Sequence, residues 1–270
     1  MNRILLNCFF YICLFLFNSA ASAADGTIIE AKQLFQKAQE TFNTAQRLSG
    51  EERRLTLLKA ASQFKMLVEN QGIKNGYLFY NIGNAYFEAG EMGHAILYYR
   101  KAKRLIPGFP DLNYNLNIAR QELNTPQPMK EWWQDIAQGL FFWHHMLDYS
   151  TRRWVAIAGF IAFWLLLTGL LFFRSVFLKA AVIFSAVSTL AFGGSFLFSA
   201  TELNVDKAGV IIEQNSEIRK GPGLSYENLY EKPLPEGTEF DLLEVHGEWW
   251  KVRLVNGDEG WIDANRSQLI

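Results

Sequence analysis

The side chains best suited to metal binding or covalent catalysis are few in this sequence, which contains four histidines and two cysteines. Cys8 and Cys13 both lie in an apolar N-terminal run with the pattern of a cleaved signal peptide, so we expect no cysteine nucleophile in the mature chain. His144 and His145 are adjacent, and neighbouring residues of a helix point about 100° apart, so they chelate a metal poorly. The other two histidines have no Ser or Asp partner that spacing singles out. We therefore expect no enzymatic activity, no metal site and no cofactor.

The composition favours a membrane protein over a nucleic-acid-binding one. Half of the residues are hydrophobic and 15% are aromatic, while the formal net charge is only −1. A chain with no overall basic field lacks the electrostatic attraction that nucleic acid requires. The apolar residues are concentrated at the N-terminus and between Trp154 and Ala200. We therefore examine these two regions first, because a membrane segment would determine on which side of the membrane the other parts lie.

Residues 1–23 have the pattern of a signal peptide. Arg3 precedes an apolar run from Ile4 to Phe17, and Ala21-Ser22-Ala23 supplies the small residues that a cleavage site needs. Cleavage after Ala23 would remove both cysteines, so the mature chain would form no disulfide. The alternative is an uncleaved anchor helix, which would place the following chain on the same, exterior side.

Two uncharged runs, residues 154–173 and 180–200, are each about 20 residues long, which is enough to cross a bilayer. The link at residues 174–179 contains Arg174 and Lys179 and no acid, as is typical of the cytoplasmic side. This predicts a membrane protein with two spans and with both flanking parts on the exterior side. The alternative is a pair of buried helices in a soluble protein.

Residues 126–153, before the first run, are amphipathic and aromatic, and we expect them to lie at the membrane interface as an anchor. In the second run, Gly193-Gly194 suggests a point of close approach between the two spans.

Residues 25–125 show helical periodicity punctuated by glycine and proline. Within them, small residues alternate with aromatic ones at spacings that suit two packed helices. Residues 76–109 resemble a tetratricopeptide repeat of 34 residues. The resemblance rests on eight signature positions: Phe79, Ile82, Gly83, Tyr86, Ala95, Tyr99, Ala102 and Pro107. A degenerate repeat precedes this one and a capping helix follows it, so the resemblance implies a small stacked helical array.

Tetratricopeptide repeats bind peptides in a groove lined by the first helix of each pair, and this resemblance implies such a groove here. The residues expected to face it lack the lysines of a clamp for C-terminal carboxylates, so we expect another peptide or protein surface as the ligand. The alternative is that these side chains only contact solvent and backbone. The candidate groove residues are Tyr77, Tyr80, Asn81, Asn84 and Asn115.

Residues 205–270 change to short β-like runs separated by turn signals, and Asn256-Gly257 suits a tight hairpin. Such a pattern predicts a small all-β barrel. The stretches at 218–223, 234–238, 247–252 and 260–262 are similar to those of a bacterial SH3-like domain. Domains of this kind dock cell-wall peptides or protein partners, which implies an aromatic surface formed by Tyr226, Trp249 and Trp250. We expect Trp261, and one of the Trp249/Trp250 pair, to lie in the core.

The predicted fold class is therefore a multidomain membrane protein with a helical repeat array, a two-helix transmembrane hairpin and an SH3-like barrel. This order of features resembles the BatE proteins of bacterial aerotolerance operons. The resemblance implies a protein of the bacterial inner (cytoplasmic) membrane, with its flanking parts on the periplasmic side, that works beside von Willebrand-type membrane proteins and a MoxR-type ATPase in tolerance of envelope or oxidative stress. We therefore expect a non-enzymatic membrane-anchored adaptor that binds protein partners. The alternative is a tether in which the barrel binds peptidoglycan.

Overall fold

The computed structural model describes residues 28–123, 146–173, 175–203 and 208–270. The predicted signal peptide and residues 126–145 of the predicted interfacial segment lie outside the described residues. The described chain is mostly helical up to Leu203 and forms a small antiparallel sheet after it. Its helices are α1 (residues 28–45), α2 (Gly50–Glu69), α3 (Gly76–Glu88), α4 (Met92–Leu105), α5 (Pro110–Glu122), α6 (Tyr149–Phe172) and α7 (Val176–Leu203).

Helices α1 and α2 form one compact unit, which ends at Lys74. Residues 46–49 separate the two helices, and α2 begins at Gly50, whose φ of 60° lies in the left-handed region that glycine adopts at least cost. The rings of Phe35 and Phe64 contact each other across the pair, with their centroids 5.6 Å apart. Ala38, Ala45, Leu57 and Ala60 are fully buried, whereas Leu55, which the periodicity of this segment places on the apolar face, is 54% exposed.

Helices α3 and α4 pack tightly because a glycine faces an aromatic ring between them. A Cβ atom at Gly83 would lie 2.5 Å from the ring of Tyr99, so only glycine permits this approach. Tyr99 is fully buried, and burial raises the pKa of its hydroxyl well above the ordinary value. Ala95 and Ala102 are also fully buried on this face of α4. Helix α4 ends at Leu105, two residues before Pro107, which disfavours helical geometry in the residue preceding it.

Helices α6 and α7 are long and apolar enough to cross a membrane by length and composition. Helix α6 begins at Tyr149, five residues before the predicted start, because the Asp148 side chain caps it by accepting from the Thr151 backbone N–H at 3.2 Å. Helix α7 begins at Val176, so Lys179 belongs to its first turn and the link between the helices is shorter than predicted.

Among the described glycines of α6 and α7, the tightest approach is at Gly159, whereas the predicted Gly193 makes only ordinary contact with α6, since its Cβ atom would lie 4.0 Å from Cβ of Ala156. A Cβ atom at Gly159 would lie 2.8 Å from Oγ1 of Thr189, whereas one at Gly194 would meet nothing within 4 Å. The Ser185 hydroxyl donates to the Gly159 carbonyl at 2.8 Å, and buried Arg152 donates from Nη1 to the Ser195 hydroxyl at 3.0 Å. A small residue flanked by hydroxyl groups is typical of helix contacts in lipid.

The C-terminal residues form a five-stranded antiparallel sheet, which we call the β module (residues 208–270). Its strands lie in the order β4-β3-β2-β1-β5, and a β-bulge shifts the β2–β3 register between Leu242 and Glu244. The prediction of a small β domain is therefore confirmed. The strands are β1 (Ala208–Ile211), β2 (Glu239–His246), β3 (Trp249–Leu254), β4 (Glu259–Asp263) and β5 (Ser267–Leu269).

Strands β3 and β4 place alternate side chains on opposite faces of the sheet. Val252 and Ile262 face a buried core that includes Ile211, Ile218, Leu234 and Phe240, and Trp250 packs against that core. Trp249 and Trp261 alternate with these residues and therefore lie on the other face, where Trp261 is half-buried and contacts His246 edge-on. The expectation that Trp261 belongs to the core is wrong, because Gly260 and Ile262 occupy the inward positions of β4.

We expect Gly83→Ala to lower the free energy of unfolding by about 1–3 kcal/mol, because the added methyl group collides with the Tyr99 ring. The measurement is the midpoint of thermal unfolding of the full chain in detergent micelles. Gly194→Ala is the control, since its methyl group meets open space in a helix. Equal midpoints for the two variants would contradict this account of the α3–α4 contact.

Candidate binding surfaces

Some of the predicted groove residues form hydrogen bonds within the protein, and the others are accessible at the surface. The hydroxyl of Tyr99 donates to Oδ1 of Asn84 at 2.8 Å, and Nδ2 of Asn115 donates to both that oxygen and the Tyr80 hydroxyl at 3.1 Å. These bonds connect α3 to α5 across the groove floor. Three of the five candidates, Tyr80, Asn84 and Asn115, therefore hold the two helices together.

The exposed aromatic side chains near this network lie on α3 and α5. Tyr77 is 53% exposed and Tyr114, which sequence reasoning did not select, is 67% exposed. Both Tyr77 and Tyr80 pack edge-on against Phe109, with centroid distances of 5.4 and 5.1 Å. Asn81 is half-buried on α3. These side chains offer aromatic contact area and an amide to a partner.

Helices α4 and α5 pack against the β module along a contact that we call the seam, formed by Gly93, Arg100, Arg104 and Arg120 with Glu236, Glu239 and Ile270. At one end, the Glu236 carboxylate accepts a hydrogen bond from the buried Gly93 backbone N–H at 3.1 Å. Helix α4 receives no side-chain cap from its own N-cap residue, Glu91. Glu236 therefore supplies from the β module both the acceptor and the negative charge that a helix N-terminus favours.

In the middle of the seam, the Glu239 carboxylate lies between two guanidinium groups. Oε1 of Glu239 accepts from Nε of Arg120 at 2.8 Å and lies 2.6 Å from its Nη2, while Oε2 lies 2.9 Å from Nε of Arg100. The Arg100 contact is an ion pair and not a hydrogen bond, because its N–H is not directed at the oxygen. The side chains of Glu239 and Arg120 are only 10% and 7% exposed. Removing one partner from such a pair leaves a buried charge uncompensated.

At the far end, Nη1 of Arg104 donates to the Ile270 backbone carbonyl at 2.6 Å. Lys103 lies beside these groups, and burial together with the positive charges of Arg120 and Arg100 lowers the pKa of its amine. The helix side of the seam therefore carries several cations close together, and the Glu239 carboxylate contacts two of them, Arg100 and Arg120.

Sequence reasoning missed the seam, although two signals for it are present. Gly93, Arg100 and Arg104 are spaced by seven and four residues, which places them on one face of α4. A glycine is needed at the first of these positions because a Cβ atom at Gly93 would lie 3.0 Å from Glu236 and 3.1 Å from the Ile211 carbonyl. Neither signal identifies the partner, because the acids lie more than 130 residues further along the chain.

The outward face of the β module contains a pocket of about 380 Å³ beside Trp249. Trp249 is paired with Asp263 on the neighbouring strand β4, so their side chains are adjacent on this face. A loop before β2 closes the opposite side of the pocket. The lining includes Glu217, Arg219, Leu224, Trp249, Asp263 and Arg266.

The other two aromatic candidates do not line this pocket. Trp250 contacts the core, where its ring lies 6.4 Å from that of Phe240. Tyr226 is exposed on one side and covers Gly221, where a Cβ atom would lie 2.4 Å from its ring. Of the predicted aromatic surface, Trp249 is the residue that the structure places in a pocket. Among the described residues, no group of three His, Cys, Asp or Glu side chains is arranged to hold a metal ion.

Residues 215–267 match the family model described as bacterial SH3 domain. The match covers most of the β module and includes the Trp249 pocket, so the C-terminal part of the chain contains a bacterial SH3 domain. No curated protein and no solved structure matches the chain.

Replacing Glu239 by Gln removes the negative charge between Arg100 and Arg120, and we expect this to destabilise the seam by about 3–5 kcal/mol. Hydrogen exchange in α4 measures the opening, and a loss of 3 kcal/mol corresponds to roughly 100-fold faster exchange. Glu244→Gln, an exposed change on the same strand, is the control. If both variants exchange alike in α4, the Glu239 contact does not hold the seam closed.

Lys103→Met should act in the opposite direction and slow exchange in α4, because it removes one positive charge from the cluster around Arg100 and Arg120.

The lowered pKa of Lys103 also predicts that the stability of the seam depends on pH. The unfolded chain binds a proton that the folded chain has already released, so the stability of the seam rises as pH increases toward the ordinary lysine pKa of about 10.4. Faster hydrogen exchange in Lys103→Met than in the unaltered chain would show that Lys103 does not destabilise the seam. The same conclusion would follow if the seam of this variant depended on pH as strongly as that of the unaltered chain.

Proposed function

We propose that this protein is a non-enzymatic, membrane-anchored binding platform in which helices α3 to α5 and the SH3 domain act as one body on the exterior side. The observation that carries the proposal is the seam, in which buried Glu239 lies between Arg100 and Arg120. The helices on one side of the apolar hairpin and the domain on the other are thereby in direct contact. If α6 and α7 span a membrane, two crossings return the chain to its starting side, which is the arrangement that the seam requires.

The outward surfaces of the hairpin support insertion in lipid. Leu165, Leu171 and Phe177 are strongly exposed, and such large apolar side chains in water would cost free energy along the length of both helices. The signal peptide pattern and the basic Arg174 and Lys179 support an orientation with the link in the cytoplasm. A bacterial SH3 domain is compatible with an exterior location.

Cysteine labelling tests the topology. The two native cysteines lie in the predicted signal peptide, so single cysteines can be introduced after Cys8 and Cys13 are replaced by serine. In intact spheroplasts, we expect a membrane-impermeant maleimide to label Asn117→Cys and Glu231→Cys, both of which are exposed. Ser175→Cys, in the link, should react only after the membrane is permeabilised. Labelling of one flank but not the other would exclude the proposed arrangement.

The proposed binding surface of the helical part is the aromatic groove of α3 and α5, in keeping with the resemblance of residues 76–109 to a tetratricopeptide repeat. Tyrosines at the centre of an interface commonly contribute much of the binding free energy. The resemblance of the whole chain to BatE proteins supports an envelope or oxidative stress role, with von Willebrand-type membrane proteins and a MoxR-type ATPase as candidate partners.

We expect Tyr77→Ala and Tyr114→Ala each to weaken binding of a purified von Willebrand-type domain from the same organism by about 10-fold, as loss of an interface tyrosine typically does. The measurement is the dissociation constant of the full chain in detergent micelles. Leu243→Ala, an exposed apolar change in the β module, should leave it unchanged. No binding by the unaltered chain would remove this class of partner from the proposal.

A second candidate function is a tether to the cell wall, and the Trp249 pocket on a bacterial SH3 domain favours it. Sedimentation of the full chain in micelles with purified peptidoglycan tests it. Retention that is lost in Trp249→Ala and kept in Tyr77→Ala would support the tether, whereas retention that survives Trp249→Ala would not involve this pocket.

A further inference from the structure

We infer that the pocket beside Trp249 binds a short peptide whose ammonium and carboxylate groups are both free. This rests on the proposed function of the SH3 domain as a binding module and names the class of its ligand. A volume of about 380 Å³ is in the range of small-molecule sites.

Two of the four charged groups in the pocket are already committed to the fold. Nη1 of Arg219 donates to the carbonyls of Leu224 at 2.9 Å and of Tyr226 at 2.7 Å, and its Nη2 is paired with Glu217. The Arg219 side chain is 15% exposed. This residue therefore shapes the loop that closes the pocket, and Glu217 neutralises its charge.

The other two groups retain the capacity to bind a ligand. Arg266 donates from Nη1 to the Asn215 carbonyl at 3.2 Å, but its Nε is 3.8 Å from Glu213, and both side chains of that pair are largely exposed. Such a loose surface pair contributes little and is easily displaced. Asp263 accepts from the Asn265 backbone N–H through one oxygen, at 2.9 Å. Its second oxygen has no hydrogen-bond partner among the described residues.

The arrangement of these groups favours a zwitterion over a simple anion or cation. The pocket holds two cations and two carboxylates, so it has no net charge with which to attract a polyanion such as phosphate. Asp263 lies beside Trp249 in the strand register, so an ammonium group there would gain both the carboxylate and the face of the indole ring. Arg266 offers a guanidinium for a carboxylate. Leu224, which is 79% exposed, provides the apolar contact between them.

Trialanine with free termini is the probe. The full chain in detergent micelles is labelled with 5-fluorotryptophan, and Trp249→Phe identifies the fluorine signal of Trp249. We expect this signal to shift with a dissociation constant of about 0.1–1 mM, the value for a ligand of this size at ordinary efficiency. No saturable shift up to about 10 mM, in a chain that still binds its protein partner, would overturn the ligand class and leave the proposed function standing.

Blocked peptides assign each charge. N-acetyl-trialanine and trialanine amide should each bind about 10-fold more weakly than trialanine. Asp263→Asn keeps an acceptor for Asn265 and should weaken trialanine about 10-fold without further weakening the acetylated peptide. Arg266→Gln keeps a donor for the Asn215 carbonyl. It should weaken binding of trialanine about 10-fold without further weakening the binding of trialanine amide. If either variant weakens free and blocked peptides equally, its side chain acts on the fold and the charge assignment is overturned.

Two further measurements test whether trialanine binds in this pocket and whether the natural ligand is a peptide with free ends or an internal segment of a protein. Arg253→Gln, on the same sheet face but paired with Glu259 outside the pocket, should bind trialanine unchanged. The peptide acetyl-Lys-Ala-Glu-amide presents the same two charges on side chains, as an internal segment of a protein would. Weaker binding of this peptide than of trialanine supports a ligand with free ends, and tighter binding would assign the pocket to a protein segment instead.

Discussion

The burial of a single carboxylate between two guanidinium groups is the constraint on which the arrangement of residues 75–270 depends. Glu239 follows the apolar hairpin, whereas Arg100 and Arg120 precede it, so their contact closes a loop that includes both apolar helices. A buried ion pair is not a large source of net stability, because desolvation of the charges offsets their attraction. It is specific, however, since any other register of the helices against the sheet would leave one of these charges buried and unpaired.

Helix α4 is the element through which this constraint acts, because it uses two faces at once. One face presents Ala95, Tyr99 and Ala102 to α3, and the other presents Gly93, Arg100 and Arg104 to the β module. Capping by Glu236 from outside the helix makes the N-terminus of α4 dependent on the β module as well. The SH3 domain is thus not a separate arm on a linker, and the two candidate binding surfaces are held at a fixed separation.

The division of roles among aromatic side chains follows from the same geometry. Tyr80 and Tyr99 belong to a hydrogen-bonded network that joins three helices, so their hydroxyl groups serve the fold. Tyr77 and Tyr114 remain exposed on the helical part, and Trp249 remains accessible on the β module. Exposed and structural aromatic residues are close neighbours in the sequence, as Tyr77 and Tyr80 or Trp249 and Trp250 are. The spacing of aromatic residues alone therefore does not tell which of them is available to a partner.

The sequence by itself determined the elements: the helices up to Leu123, the two apolar helices and the short strands of the SH3 domain. These follow from periodicity, run length and turn residues, which are local properties of the chain. Their ends shifted where a cap acts, as Asp148 does for α6. The apolar helices approach more tightly at Gly159 than at the predicted Gly193, because the residue that faces the neighbouring helix depends on the rotation of the helix as well as on its composition. The seam, the placement of Trp261 outside the core and the pocket beside Trp249 were decided only by the tertiary structure. Each of them depends on residues that are far apart in sequence. The free energy of such a contact depends on both partners, and a single stretch of sequence contains only one of them.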